Sequence, residues 1–257
     1  MIDVNVSLSQ WPFRRLPDDE PERLVARLRS LGVNEAWAGS FDALLHRDIA
    51  GVNIRTAETC RRFGDGLLRP VGAIDPTLPD WPEELRRCVE VHAMRAIRLH
   101  PNYHGYGLDH PAFPVLLDEA GRRGLVLQIA VRMEDERGLH PLLKNLGPTD
   151  LAPLVPLLNR PGRPKIALLN ALKNAGGAGL PRELLQAENV WFDIAMLEGA
   201  GALARLVDQF GSARFLFGSH APFFVPEATK LKFQESPLSA ENAEAIQRGN
   251  ARRLVRA

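Results

Sequence analysis

Three side chains in this sequence are well suited to acid–base chemistry. His100, Asp193 and His220 each lie in or just after a short apolar run of the chain. A neutral imidazole acts as a general base near pH 7 without any shift of its pKa, and a carboxylate can orient it. We therefore predict that these three are catalytic residues. A buried polar network that only supports the ends of strands explains them equally well.

A second group of polar residues is predicted to hold a substrate. Its members are Arg14, Asn5, Ser7, Asn170, His104 and Arg132. The guanidinium of Arg14 is suited to a bidentate pair with a substrate carboxylate, but a salt bridge to Asp18 or Asp19 is equally expected. His104 lies at the start of a glycine-rich segment, for which both a lid and an ordinary surface loop remain open.

Parallel strands would bring these residues together. The apolar runs are Ile2–Val6, Glu35–Ala38, Pro70–Ile74, Ala96–Leu99, Leu125–Val131, Lys165–Leu169, Val190–Ile194 and Arg214–Phe217. Most are apolar at consecutive positions, which is typical of strands covered on both faces. The stretches with helical character are Pro21–Gly32, Thr56–Phe63, Pro82–Val91, Pro114–Ala120, Pro153–Leu158, Leu203–Phe210 and Ser239–Arg256. This alternation predicts a (β/α)8 TIM barrel of the α/β class, as a single domain over residues 1–257.

Composition and charge argue against several classes of protein. The chain has 257 residues, of which 45% are hydrophobic and 25% charged, as is ordinary for a globular protein. A net charge of +1 gives no reason to expect nucleic acid or an anionic membrane as partner. The sequence contains neither GxGxxG after the first run nor GxxxxGK[ST], which disfavours a nucleotide site.

Targeting signals and cysteine usage point to one compartment. No stretch approaches the roughly 20 apolar residues that span a bilayer, and the N-terminus lacks the pattern of a signal peptide. Cys60 and Cys88 have no CxxC spacing and are expected to be free thiols. We therefore expect a cytoplasmic protein.

Three segments of the chain resemble a known family. Ile2–Ser7 (IDVNVS) is similar to an opening strand that ends in His-x-His, and Phe217–Pro222 (FGSHAP) to a last strand end with Phe-Gly-Ser-Asp-x-Pro. Ile246–Leu254 (IQRGNARRL) is similar to a terminal helix with Gly-Asn-Ala-x-Arg-Leu. With the eight alternations, the whole chain resembles the amidohydrolase-related (amidohydrolase 2) family of barrel hydrolases and decarboxylases. The resemblance implies a TIM barrel and a metal-dependent hydrolase.

The resemblance also implies metal ligands that this sequence lacks. In the family, histidines of the first, fifth and sixth strands bind a divalent metal, and an aspartate of the eighth binds metal or moves protons. The residues found here at those positions are Asn5, Ser7, Ala130, Asn170 and His220. Zinc needs imidazole, thiolate or carboxylate donors, so we expect no metal at the usual site and no other cofactor. A relocated divalent metal such as zinc, bound by His100, Asp193 and His220, is the alternative.

Two functions remain open at this stage. The first is a hydrolase or lyase acting on a small carboxylated or carbonyl-bearing substrate, with His220 as base. The second is a catalytically silent barrel that binds a small ligand or a protein partner, since a metal-activated water cannot exist without ligands. Barrels of this family often associate, so a homo-oligomer is also considered, although the sequence identifies no interface.

Overall fold

The structure, a computed structural model, describes residues 1–135, 138–160, 162–175, 177 and 179–255. Within these residues, strands and helices alternate from β1 to the C-terminal helix. The predicted helix end at Arg256 lies outside the described residues. No described helix has the length and apolarity needed to cross a membrane.

The strands are parallel and short, and they coincide with the eight predicted runs. They are β1 (Ile2–Leu8), β2 (Glu35–Ser40), β3 (Leu68–Pro70), β4 (Gly72–Ala73), β5 (Ala96–Leu99), β6 (Val126–Ala130), β7 (Lys165–Leu169), β8 (Val190–Asp193) and β9 (Phe215–Leu216). Their pairing order is β1-β2-β3 in one sheet and β4 through β9 in the other. One predicted run, Pro70–Ile74, spans the boundary between β3 and β4.

Backbone contacts between the first and last strands close the ring. The Val4 amide donates to the Phe217 carbonyl at 3.0 Å, and the Ser7 amide donates to the Ala221 carbonyl at 2.9 Å. A parallel bridge joins Val6 to Ala221. The sheets thus form a barrel of eight strands, in which β3 and β4 together make the third. The predicted TIM-barrel fold is confirmed.

The helices lie between the strands along the chain. They are α1 (Pro21–Ser30), α2 (Ile49–Phe63), α3 (Trp81–Glu90), α4 (Pro101–His104), α5 (Ala112–Arg122), α6 (Arg182–Gln186), α7 (Ala202–Phe210), α8 (Glu227–Gln234), α9 (Ala240–Glu244) and α10 (Asn250–Val255). Apolar residues at helical spacing, such as Leu24 and Leu28 of α1, face the strands. The largest buried cluster lies between the strands and the helices.

Three predicted helical segments differ from the structure for local reasons. Helix α2 begins at Ile49, because Asp48 accepts a hydrogen bond from the Gly51 amide at 2.9 Å and caps it. The segment between β6 and β7 forms a 3-10 helix at Ala152–Leu157, where proline inside the segment removes a backbone donor. The closing helix begins at Ala240, where Ser239 accepts a hydrogen bond from the Asn242 amide and caps it, and contains a π-helical turn between α9 and α10.

The two cysteines are free and buried, as the sequence predicts. Burial raises the pKa of the Cys60 thiol to about 12 and raises that of Cys88 further. Both thiols are therefore protonated at neutral pH and have the packing role of small apolar side chains.

Candidate functional site

Asn5 in the middle of β1, Asp193 at the end of β8 and Asn170 just after β7 hydrogen-bond to one another. The Asn5 amide donates from Nδ2 to Asp193 Oδ2 at 2.6 Å and to Asn170 Oδ1 at 2.9 Å. The Asn170 backbone amide donates to Asp193 Oδ1 at 2.8 Å. Gly218 permits this approach, because a Cβ there would lie 2.8 Å from Asp193. These contacts use both carboxylate oxygens of Asp193 within the protein.

A fully buried arginine crosses the barrel beneath this cluster. Arg98 of β5 donates from Nε to Gln128 Oε1 at 2.8 Å and from Nη1 to the Val6 carbonyl at 3.1 Å. Its Nη1 also donates to Ser7 Oγ at 3.3 Å, so Ser7 binds Arg98 and does not join the asparagine cluster. Arg98 is not among the site residues predicted from the sequence. Its signal was an arginine inside a four-residue strand that is otherwise apolar.

Two buried carboxyl groups interact electrostatically with the arginine charge. Asp3 Oδ1 accepts from the backbone amides of Asn5 at 3.1 Å and Ser219 at 3.0 Å. Burial raises the pKa of Asp3 to about 6 and that of Asp193 to about 7. Burial also lowers the pKa of Arg98 to about 10, while both carboxyls oppose that shift. The barrel interior therefore holds one cation and two acids, whose ionised forms depend on one another.

His220 lies in the segment that follows β9, and a backbone group fixes its ring. Its Nε2 is 2.8 Å from the Met133 carbonyl, which can only accept, so Nε2 carries the proton. Nδ1 then has a lone pair, and this atom has no hydrogen-bond partner. Burial lowers the pKa of His220 to about 4, so the ring is neutral at pH 7. His220 has φ of 57°, a left-handed conformation.

His100 is a second buried histidine at the same end of the barrel. It is 2% exposed, and its Nδ1 also has no hydrogen-bond partner. Burial, followed by the charges of His104 and Arg98, lowers its pKa well below the usual range. A histidine that only supports the ends of strands is expected to use its ring nitrogens in hydrogen bonds, whereas the buried Nδ1 of His100 has no such partner.

The remaining predicted substrate residues are distributed around the rim. His104 binds the Ala43 carbonyl through Nε2 at 2.7 Å, next to the second strand. Arg14 is exposed and its guanidinium lies 5.2 Å from the centre of the Phe223 ring. The salt bridge to Asp19, considered as an alternative role for Arg14, is made by its neighbour Arg15.

Arg132 lies near a small cavity at the end of β6. Its backbone carbonyl accepts from Asn170 Nδ2 at 2.8 Å. Arg132 lines a cavity of about 20 Å³ together with Tyr103 and Glu134, which holds no more than a water molecule. Of the predicted residues, the structure thus brings Asn5, Asn170 and Asp193 into direct contact through their side chains, and Arg132 joins them through its backbone carbonyl.

An aromatic cap covers the mouth of the barrel. We define it as Trp11, Phe13, Phe41 and Phe223. Trp11 packs at its centre, with ring centroids 4.9 Å from Phe223, 5.3 Å from Phe41 and 5.9 Å from Phe13. The ring of Phe223 also lies 5.2 Å from that of His220. The cap and the polar cluster leave Asn5, His100, Asn170, Asp193 and His220 no more than 2% exposed.

The residues of the mouth do not fit the metal that the family resemblance implies. Among the described residues, no group of three histidine, cysteine, aspartate or glutamate side chains is placed to hold a metal ion. Ala130 carries no donor atom, and Asp193 is engaged by Asn5 and Asn170. The alternative of a relocated site on His100, Asp193 and His220 does not form in this arrangement.

A cavity of about 440 Å³ opens beside the ends of β7 and β8. We call it the strand-end cavity; its lining includes Asp135, Lys173, Met196, Glu198, Phe224 and Lys232. Lys232 of α8 is half-buried, and its Nζ donates to the Ala195 carbonyl at 2.8 Å. None of the nine predicted site residues, all of which the structure describes, lines this cavity. Lys232 lies on α8, away from any strand end, and no motif in the sequence distinguishes it from a surface lysine.

Comparisons with known proteins agree on the architecture. A 5-carboxyvanillate decarboxylase from Sphingomonas paucimobilis superposes with a TM-score of 0.74 at 15% identity, covering 99% of this chain and 98% of its own. A 2,6-dihydroxybenzoate decarboxylase from Rhizobium gives 0.69 at 16% identity, with 99% and 98% covered. A probable 2-pyrone-4,6-dicarboxylic acid hydrolase from Acinetobacter baumannii gives 0.67 at 12% identity, also with 99% and 98% covered. At such identities the likeness shows the fold alone.

The sequence comparisons are more specific about the family. Comparison with curated proteins found no match. The sequence model of the amidohydrolase family matches residues 11–257, which is nearly the whole chain. On that match and the barrel described above, the chain belongs to the amidohydrolase family.

Proposed function

We propose that this protein is a small-molecule-binding barrel that takes a carboxylated ligand in the strand-end cavity and does not use the metal-activated water of its family. The observation that carries the proposal is the mutual bonding of Asn5, Asn170 and Asp193, where the family resemblance implies metal ligands. Of the two functions that the sequence left open, this geometry favours the silent barrel. A hydrolase without a metal-bound hydroxide needs another nucleophile next to a substrate.

The accessibility of the strand-end cavity to a ligand also supports a binding role for it. The candidate catalytic residues His100, Asp193 and His220 are no more than 2% exposed, beneath the aromatic cap. The strand-end cavity has the volume of a small-ligand site and lies where the loops after parallel strands carry function in barrels of this class. A ligand can therefore reach this cavity without opening the cap.

The ligand class follows from the lining and from relatives. Lys173 and Lys232 are the cationic groups of a lining that also contains Asp135, Glu198 and Glu235, and Met196 and Phe224 supply an apolar wall. This pairing suits a small aromatic or aliphatic carboxylate. Several structural relatives are named as acting on carboxylated aromatic compounds, namely the decarboxylases and the dicarboxylic acid hydrolase. For this chain the class of ligand is part of the proposal.

The test combines metal analysis with ligand binding. We expect plasma mass spectrometry of the dialysed protein to find zinc, manganese and iron well below one equivalent, even after growth with added metal. We expect titration calorimetry with benzoate-type carboxylates to show saturable binding that Lys173→Met weakens by about tenfold. Lys165→Met, which changes a lysine outside the cavity, is the control. Stoichiometric metal, or binding that both variants leave unchanged, would contradict the proposal.

A second candidate is favoured by one observation at His220. Its Nδ1 is unprotonated, buried and without a partner, so it is chemically able to accept a proton from a molecule beneath the cap. This is the hydrolase or lyase hypothesis with His220 as base and His100 beside it. Steady turnover of a carboxylated or ester substrate that His220→Asn abolishes would establish it.

Location and assembly remain predictions. A cytoplasmic location fits the two free cysteines, because disulfides are rare in that compartment. A small-molecule partner, without nucleic acid or membrane, fits the balanced charge. A homo-oligomer stays open, and the molecular mass in solution decides it.

A further inference from the structure

Lys232 differs in its surroundings from a surface lysine. Its side chain crosses the wall of the strand-end cavity, and its Nζ is held by the Ala195 carbonyl at 2.8 Å. Ala195 follows β8, so the backbone of the barrel fixes one direction of the amine. The chain has five lysines, at positions 144, 165, 173, 230 and 232, and two of them line this one cavity.

Acidic groups from three directions face the Lys232 amine. Asp193 lies on the barrel side, Glu198 follows β8, and Glu235 follows α8; each raises the pKa of the lysine. Burial acts in the opposite direction and dominates, lowering the pKa of Lys232 to about 8. At pH 7 about one amine in ten is then neutral, against fewer than one in a thousand for a solvated lysine. A neutral amine in an apolar site is the form that attacks carbonyl carbon.

We propose that Lys232 binds a small carbonyl-bearing carboxylate in the strand-end cavity as a reversible imine. The inference rests on the cavity assigned above as the ligand site and adds the covalent chemistry of that site. The nearby Lys173 supplies the charge that pairs with the carboxylate.

Formation of the imine needs only the lysine amine and the carbonyl group of the ligand, and it releases one water molecule. The lone pair of Nζ attacks the carbonyl carbon, and the proton that Nζ loses moves to the carbonyl oxygen, which gives a carbinolamine. Loss of that hydroxyl with the second Nζ proton as water leaves a C=N bond. Protonation of the imine restores a donor to Nζ, and the Ala195 carbonyl that accepts from the amine can accept from it. Addition of water reverses the sequence and releases the ligand.

The neighbouring lysine provides a matched control. Lys230 lies two residues away on α8, is exposed and does not line the cavity. An imine at Lys230 would gain nothing from the cavity or from the Ala195 carbonyl. The N-terminal amine of Met1 is the main competitor, because burial lowers its pKa as well.

The experiment is reductive trapping of the full chain with 4-carboxybenzaldehyde and sodium cyanoborohydride, followed by peptide mass mapping. We expect one dominant adduct, at Lys232, whose rate of formation rises with pH to a midpoint near 8. Lys232→Arg should lower total labelling about tenfold, while Lys230→Arg leaves it unchanged. Mapping of the unaltered protein decides the matter by itself if the Lys232→Arg variant does not fold. Labelling at Met1, or spread over the lysines according to exposure, overturns the proposal.

Binding of 4-carboxybenzyl alcohol, which lacks the carbonyl, separates this inference from the proposed function. If the alcohol binds and the aldehyde gives no adduct at Lys232, the imine is wrong and the carboxylate site stands. If the aldehyde is trapped at Lys232 but the alcohol does not bind, the imine stands and noncovalent carboxylate recognition is wrong. If neither is observed, both proposals fail.

Discussion

Arg98 carries its charge in the interior of the barrel, where burying a cation costs several kcal/mol unless it is paired. Four contacts surround it, to Gln128, Ser7 and the carbonyls of Val6 and Trp37. Gly39 of β2 makes room for it, since a Cβ there would lie 2.9 Å from Nη1. Its charge also favours the ionised forms of Asp3 and Asp193, so the interior depends on this one side chain.

Replacement of Arg98 should destabilise the fold in a pH-dependent way. Arg98→Met removes the buried cation that interacts with Asp3 and Asp193, and we expect a loss of about 3–5 kcal/mol in the free energy of unfolding at neutral pH. Without the cation, the pKa of each carboxyl rises further, so the folded variant takes up protons at higher pH than the wild type. The loss should therefore shrink at about pH 5.5.

Denaturant unfolding at both pH values measures this effect. Arg95→Met, on the exposed arginine just before β5, is the matched control and should stay within about 0.5 kcal/mol of the wild type. An Arg98→Met loss that is the same at both pH values would show that the carboxyls do not depend on the arginine.

His220 should make the fold sensitive to acid. Its pKa is about 4 in the folded protein against 6.5 for an exposed histidine, so between these values the unfolded chain binds more protons. Stability from this group is thus fully present above pH 6.5 and is lost as the pH falls through 4. Relative to His220→Asn, the wild type should lose about 2 kcal/mol between pH 7.5 and 5.

Asparagine is the suitable replacement because His220 has a positive φ, which asparagine tolerates. The difference in unfolding free energy between the two proteins, followed across this pH range, is the measured quantity. A difference that does not vary with pH would mean that His220 is solvated and has an ordinary pKa.

At the scale of elements, the segments after three strands together cover the mouth of the barrel, and Phe41 comes from the one after β2. The segment after β1 provides Trp11 and Phe13, and the segment after β9 provides Phe223. Trp11 is 3% exposed and contacts all the other cap rings. Because the segments that carry Trp11 and Phe223 follow the first and last strands, the cap lies over the place where β1 and β9 meet and close the barrel.

Removal of the central ring should expose the residues beneath it. We expect Trp11→Ala to lower stability by about 3–5 kcal/mol and to increase diethylpyrocarbonate modification of His220 at least tenfold. The exposed His46 provides the internal reference for reagent concentration. Trp191→Ala, at the start of β8 and away from the cap, controls for general loosening of the fold. Equal modification of His220 in both variants would mean that the cap does not control access.

The strands could be read from the sequence because a parallel barrel demands continuous apolar runs. Lys165–Leu169 and Ala96–Leu99 coincide with β7 and β5. Helix limits were less accurate where they depend on caps and prolines, as at Asp48 and in the segment Ala152–Leu157. The closing helix contains a π turn, and the Phe217 amide there bonds to the Ile246 carbonyl, a tertiary contact that no local pattern encodes.

The site was less predictable than the fold for a related reason. Positions at strand ends identified Asn5, Asn170 and Asp193, and only three-dimensional proximity shows that they bond to one another. Arg98 and Lys232 were missed, because what distinguishes them is burial, and burial of a charged side chain depends on partners far away in the chain. The strand-end cavity likewise arises from β7, β8 and α8 together.

For the whole molecule, the buried ionisable groups have opposing effects on stability. His100 and His220 disfavour folding as the pH falls, because their charged forms are excluded from the interior. Asp3 and Asp193 act in the opposite sense: the folded protein binds their protons more tightly than the unfolded chain, so they favour folding as the pH falls below about 7. A variant that lacks one of the buried acids should therefore lose more stability than the wild type as the pH falls, and a variant that lacks one of the buried histidines should lose less.

The hydrogen bonds among Asn5, Asn170 and Asp193 predict how the stability of the whole molecule responds to metal removal. A metal that binds the folded state alone stabilises it by RT ln(1 + [L]/Kd), about 4 kcal/mol at a thousandfold excess over Kd. Here the side chains of Asn5, Asn170 and Asp193 are engaged with one another. We therefore expect added metal not to stabilise the folded state. Thermal unfolding should give the same Tm, within about 2 °C, in a chelator and in added zinc. Asn170→His and Asn5→His together place two imidazoles at these positions and serve as the comparison: zinc should raise the Tm of that variant if the barrel backbone still supports a metal. A wild-type Tm that falls in chelator and recovers with zinc would show a metal bound to the native fold, and the proposal of a metal-independent barrel would then be wrong.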